Sequence, residues 1–138
     1  MKNIWLVVPC YNEEEVLPET SRQLKAVMQS MIDSGKISPE SKIAFVNDGS
    51  KDNTWNIISA LCTDDGIFAG INLSRNKGHQ NALLAGLMTA KKYADAVISL
   101  DADLQDDVDA IEKMVDNFIA GDDIVYGCLL YTSPSPRD

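Results

Sequence analysis

The 138-residue chain holds 21 Asp and Glu against 12 Lys and Arg, a net charge of −9. Apolar residues at 45% and charged residues at 24% suit one globular domain with a sizeable core. The balance argues against nonspecific nucleic-acid binding, which needs a basic face. An anionic ligand would require a cation or a local basic pocket to reverse the field.

The pattern begins with Ile4-Trp5-Leu6-Val7-Val8, a continuous apolar run closed by Pro9, which reads as a buried parallel strand. The run is too short, and the following Glu13-Glu14-Glu15 too acidic, for a signal peptide. No apolar run approaches the roughly 18 residues of a membrane span, so the chain reads as cytoplasmic. Residues 13–33 predict a helix, with Leu17, Leu24, Val27, Met28 and Met31 at helical spacing and Pro18 in its early turn. A second strand, Ile43 to Val46, runs into the turn formers Asn47-Asp48-Gly49-Ser50. A helix follows over 54–62, capped by Asp52 or Asn53. The spacing then predicts a strand over 67–73, an Ala- and Leu-rich helix over 77–93, a strand over 96–100, a helix over 107–119 and a fifth strand over 123–126. Cys10, Cys62 and Cys128 form no CxxC pair, so neither a disulfide framework nor a zinc site is expected.

Strands alternating with helices at this spacing predict an α/β domain, mostly parallel, with helices on both faces of the sheet. Ligands of such folds bind outside the carboxyl ends of the strands. Each polar cluster follows a strand: Tyr11-Asn12-Glu13, Asn47 to Ser50, Ser74 to Lys77, and Asp101 to Asp106. All four are expected along one rim.

The densest cluster is Asp101-Ala102-Asp103-Leu104-Gln105. If the chain stays extended past Leu100, Asp101, Asp103 and Gln105 project to one side. Hard oxygen ligands without His or Cys suit Mg²⁺ or Mn²⁺, which would turn a repulsive rim into a phosphate site. The plain alternative is an acidic turn capping the next helix through Asp106 or Asp107. Asp48 could accept hydrogen bonds from a base or ribose, or simply shape its turn. Tyr11 could stack on a base, or half-bury at the rim. Arg75 and Lys77 precede a helix start and could meet phosphate together with free backbone N–H groups. His79, the single histidine, is read as a helix-end residue and not as a base. Residues 128–138, CLLYTSPSPRD, carry no periodicity. They resemble a translated sequencing-adapter read-through and are expected to be a non-native tail after Gly127.

Four ordered segments, VVPCYNEEEVLP, FVNDGSKDNT, LSRNKGHQNALLAG and SLDADLQD, resemble the inverting glycosyltransferases of family 2. They look most like the branch that moves a sugar onto a polyprenyl phosphate, including dolichyl-phosphate mannosyltransferases and bactoprenol glucosyltransferases. The resemblance covers residues 3–127 and implies the Rossmann-like nucleotide-sugar-binding half of a GT-A fold. It implies that Pro9, Tyr11, Asn12 and Glu13 line the nucleotide pocket and that Asp48 contacts base or ribose. Asp101, Ala102 and Asp103 would serve the donor diphosphate, Asp101 and Asp103 as catalytic residues. Asp101, Asp103 and Gln105 would hold Mg²⁺ or Mn²⁺. Asn47 departs from the pattern, since many relatives carry Asp there; Asp107-Val108 departs where relatives often have prolines. The implied donor is a UDP- or GDP-sugar, and the implied acceptor a lipid phosphate at the cytoplasmic face of a membrane. The family's acceptor region would lie beyond residue 127, so this fragment is expected to bind donor without transferring sugar.

Three alternatives compete. A family 2 enzyme could act on a saccharide or other hydroxyl acceptor. A phosphatase of the haloacid dehalogenase type would place Asp-x-Asp after its first strand, not its fourth. A receiver-like regulatory domain would use Glu13, Glu14 and Asp48 but leave Asp101-Ala102-Asp103 without a task.

Overall fold

The structure, a computed structural model, describes residues 2–75, 78–103, 108–121 and 129–132. Lys77, Gln105, Asp106, Asp107 and the strand expected over 123–126 lie outside the described residues.

Five strands form one sheet: β1 Ile4–Cys10, β2 Lys42–Asp48, β3 Phe68–Leu73, β4 Ala96–Ser99 and β5 Leu129–Thr132. Their order is β3-β2-β1-β4-β5. β1 pairs in parallel with β2 and with β4, and β2 in parallel with β3. β5 pairs antiparallel with β4, Ala96 facing Thr132 and Ser99 facing Leu129. β1 is central, and all seven of its residues are buried. This accounts for an uninterrupted apolar run where a half-exposed strand would alternate. β5 lies within residues 128–138, which the sequence reading expects to be a tail. The run has no periodicity of its own.

Helices α1 Leu17–Asp33, α2 Thr54–Asp64, α3 His79–Ala90 and α4 Asp109–Ile119 connect the strands. Pro18 sits at the start of α1, where its missing N–H costs nothing, so the helix begins four residues later than the pattern predicts. The two sheet faces are covered unequally. Leu6, Val8, Phe45 and Ile98 pack against Leu24, Met28 and Met31 of α1, Ile58 of α2, and Ile111, Met114 and Val115 of α4. On the other face, Trp5, Val7, Ala44, Val46 and Val97 meet Ala82 and Ala90 of α3. A Cβ on Gly86 would lie 2.4 Å from Val7 Cγ1 and 2.9 Å from Val46 Cγ2. α3 reaches its distance from the sheet only because residue 86 has no side chain.

The chain proceeds outward from β1 through β2 to β3, then returns to the other side of β1 for β4. The crevice at the carboxyl ends of β1 and β4 is therefore the switch point of the sheet, the usual ligand position in such folds.

Candidate functional site

A cleft of about 380 Å³ opens at that switch point, lined by Pro9, Cys10, Tyr11, Glu13, Asp48, Gly78, Ala82, Asp101, Ala102 and Asp103. Four elements contribute. β1 delivers Pro9, Cys10 and Tyr11, β2 ends in Asp48, α3 supplies Gly78 and Ala82, and the loop after β4 carries the two carboxylates.

The loops after β1 and β2 are joined by hydrogen bonds. The Asn12 N–H donates to Ser50 Oγ at 2.9 Å, and Lys51 N–H donates to Asn12 Oδ1 at 2.8 Å. Glu13 N–H donates to Thr54 Oγ1 at 2.8 Å, and Glu14 N–H to Asp52 Oδ2 at 3.3 Å. Asn12 has φ +53°, a left-handed conformation that Asn tolerates better than most residues; Gly49 has φ +67° in the facing turn. Asn47 is buried, accepts from Ser50 N–H at 3.2 Å and donates through its amide to Asn72 Oδ1 at 2.8 Å. An Asp at position 47 could accept but not donate, which gives this departure from the family pattern a local structural use. Of the two expected caps, Asn53 occupies the cap position of α2 without a side-chain cap bond, while Asp52, one residue earlier, accepts from Thr54 N–H through Oδ1 at 2.9 Å. Although burial opposes it, hydrogen bonds from Thr54 and from the Glu14 N–H hold the Asp52 carboxyl below its ordinary value.

The chain does not remain extended after β4; it turns at Ala102 and Asp103. Ala102 is buried, while Asp101 and Asp103 are exposed and line the same cleft. The Thr20 hydroxyl of α1, itself buried, donates to Ala102 O at 2.6 Å and ties the turn to the core. Burial first, then the charges of Asp103, Asp52 and Asp101, push the Glu13 carboxyl above its ordinary value. Burial and Glu13 likewise push the Cys10 thiol up, which makes it a packing thiol and not a nucleophile.

Among the described residues, the charged side chains lining the cleft, Glu13, Asp48, Asp101 and Asp103, are all carboxylates. Among the described residues, no three His, Cys, Asp or Glu side chains come close enough together to hold an ion by themselves. The donor chemistry fits a hard divalent cation that keeps waters and completes its shell with phosphate oxygens, not one held in an all-protein cage.

Of the residues expected in the site, Pro9, Tyr11, Glu13, Asp48, Asp101, Ala102 and Asp103 meet in this cleft. Asn12 does not line it but fastens its wall. Arg75 is exposed just past β3 and does not line it either. The sequence reading missed Cys10, Gly78, Ala82 and Thr20. Gly78 had a signal: a glycine after Asn76-Lys77 at a helix start, here with φ +94°. Thr20 had none, because its partner lies 82 residues away.

Fold and cleft define a doubly wound α/β domain with its crevice at the carboxyl edge. The sequence pattern of glycosyl transferase family 2 matches residues 5–138, and the chain belongs to that family. It is 50% identical over 122 residues to the uncharacterized glycosyltransferase YkoT of Bacillus subtilis, covering 88% of this chain and 36% of that protein. It is 40% identical over 123 residues to the bactoprenol glucosyl transferase of Shigella phage SfV, covering 88% of this chain and 37% of that protein. The chain thus spans about a third of the length of these relatives. Among solved structures, S. aureus TarS 1-349 in complex with UDP superposes with a TM-score of 0.59 at 20% identity, over 83% of this chain and 32% of that one. The mannosyltransferase PcManGT of Pyrobaculum calidifontis, in complex with GDP-Man and Mn²⁺, gives 0.53 at 18% identity, over 74% and 28%. These likenesses establish the Rossmann-like GT-A fold. Family membership, with the carboxylate pair after β4, removes the phosphatase and receiver readings.

Proposed function

We propose that residues 1–127 form the donor-binding half of a metal-dependent inverting glycosyltransferase acting on a polyprenyl phosphate. One observation carries the reading: the carboxylates of Asp48, Asp101 and Asp103 and the Tyr11 ring share one cleft at the sheet's switch point. The name of the phage relative, bactoprenol glucosyl transferase, supports the acceptor class. The ligands of the two structural neighbours, UDP in one and GDP-Man with Mn²⁺ in the other, support the donor class and the cation.

Tyr11 stacks on the base of a UDP- or GDP-sugar, with Pro9 beside it and Asn12 and Glu13 shaping the loop. Asp48, buried at the end of β2, accepts hydrogen bonds from base or ribose. Asp101 and Asp103, with Gln105, hold Mg²⁺ or Mn²⁺, and the Ala102 turn orients them. When bound, the cation neutralises charge developing on the departing diphosphate. Arg75, exposed just past β3, and Lys77 are the cations this reading assigns to the donor phosphates. An acceptor phosphate oxygen attacks the anomeric carbon opposite the diphosphate; that C–O bond forms as the donor's C–O bond breaks, inverting the centre. A phosphate is already anionic near neutral pH, so this transfer needs no strong general base. The chain as it stands binds donor and transfers nothing.

A thermal-shift panel of UDP- and GDP-sugars with and without Mn²⁺ tests the reading. One donor should stabilise the chain by about 2.7 kcal/mol at a hundredfold excess over Kd, and only with the metal. No shift with any donor, or an equal shift without Mn²⁺, would refute it. Sugar transfer to a polyprenyl phosphate by this chain alone would refute the donor-only part.

A further inference from the structure

The charge of the chain is unevenly distributed. Residues 66–94 contain Arg75, Lys77, Lys91 and Lys92, and not one of the 21 Asp and Glu. The rest of the chain holds all 21 acids against eight Lys and Arg. This acid-free stretch comprises β3, α3 and the turn after it.

α3 packs its Ala82, Gly86 and Ala90 side onto the sheet. Its opposite side presents Leu84, 54% exposed, and Met88, 55% exposed, with exposed Lys91 next along the same line. These positions are i, i+4 and i+7, one stripe of a helix. Lys92 and Tyr93, also exposed, follow in the turn. Tyr93 stacks on Trp5 with ring centroids 5.4 Å apart. Leu84, Met88 and Tyr93 are three of the five large exposed apolar side chains among the described residues. The outward positions of α1 and α4 instead mix charges, Glu19, Asp33, Asp109 and Asp116 with Arg22, Lys25 and Lys113. An apolar helix face closed by two lysines and a tyrosine, on the acid-free stretch of an acidic chain, has the composition of an interfacial membrane contact.

We propose that the outer face of α3 docks on an anionic bilayer surface, with Leu84 and Met88 entering the headgroup boundary and Lys91 and Lys92 meeting lipid phosphates. The lysine stems lie along the apolar surface while their ammonium groups reach the headgroups. The net acidic α4, on the opposite sheet face, is turned away from the negative lipid. The start of α3 supplies Gly78 and Ala82 to the cleft wall, so docking along this helix brings the cleft beside the membrane. The contact itself rests on exposure and charge; only its use in delivering a lipid acceptor rests on the proposed transfer reaction.

Vesicle co-sedimentation of the 138-residue protein tests it. Phosphatidylcholine vesicles with about 30% phosphatidylglycerol should retain the protein, and pure phosphatidylcholine should not. K91E/K92E should weaken binding at least about 20-fold, near fivefold for each attraction lost. L84S/M88S should weaken it about tenfold through lost apolar burial. R22E/K113E, the same charge change on α1 and α4, should weaken it less than about threefold. No binding to anionic vesicles, or equal weakening by both charge-reversal pairs, would overturn the proposal. So would concentration-dependent self-association abolished by L84S/M88S without vesicle binding, which would assign the stripe to a second copy. Mn²⁺-dependent donor titration of each variant reports separately on the nucleotide site, and donor affinity should be unchanged in all three.

Discussion

The two halves of the cleft rim are built on different terms. The half formed by the loops after β1 and β2 is assembled before any ligand arrives. Asn12, Glu13 and Glu14 are bonded across to Ser50, Lys51, Thr54 and Asp52. The half after β4 presents two exposed carboxylates on a turn tied to the core by the Thr20 bond to Ala102. Like charges meet there: after burial, the charges of Asp103, Asp52 and Asp101 push the Glu13 carboxyl up. In the proposed function the first half is a wall for a flat, neutral base, which benefits from rigidity. The second is a proposed cation-held diphosphate seat, which benefits from negative charge.

The largest expected effect falls on the acidic half. Asp103→Asn should weaken metal-dependent donor binding by about 100-fold while leaving the urea midpoint equal or higher, because it removes like-charge repulsion. Calorimetric titration with and without Mn²⁺ reads the first quantity, and denaturation the second. A loss of stability in place of affinity would make this half as structural as the other.

The preassembled half should respond the opposite way. Asn12→Ala removes the acceptor for Lys51 N–H and puts a Cβ-bearing residue without a local polar group at φ +53°. We expect a stability loss of about 2–3 kcal/mol in urea denaturation, summing a hydrogen bond and left-handed strain. Asn12→Gly keeps the backbone permissive and should cost only about 1 kcal/mol. Equal losses for the two variants would mean that the left-handed conformation contributes nothing.

How much of this was legible in the sequence follows the same division. β1 and β2 are readable because a buried parallel strand leaves a continuous apolar run, and the cluster after each strand must then sit at the carboxyl edge. That logic alone brought Tyr11, Asp48, Asp101 and Asp103 to one rim. Periodicity could not show that the chain turns at Ala102, since extended and turned backbones both leave Asp101 and Asp103 outward. It gave no hint of Thr20, whose hydroxyl on a helix face reads as an ordinary polar residue until α1 is laid under the turn. Nor could it place β5, since four residues at a sheet edge take their pairing from β4 and not from a pattern of their own. The unequal faces of the sheet escaped for a related reason. α3 is apolar nearly all round, and its sequence does not reveal which apolar side lacks a partner.

Glu13 belongs to both halves of the rim, and it gives the smallest and most direct test of the contrast. Its N–H is fixed by Thr54 Oγ1 while its carboxyl feels Asp103, Asp52 and Asp101. In the folded protein its pKa lies above the ordinary 4.5, so the native state holds the proton more tightly than the unfolded chain. Below 4.5 both states are protonated and no penalty exists. As pH rises from there through the raised native value, the unfolded chain ionises first and the native state loses stability; above that value the loss is complete and flat. Glu13→Gln cannot ionise, so urea midpoints of wild type and variant should diverge as pH climbs from the ordinary 4.5 through the raised native value, the wild type falling relative to Gln. Parallel midpoints across that range would mean that neither burial nor the Asp103, Asp52 and Asp101 carboxylates raise Glu13, and the acidic half would lose its claim to stored negative charge.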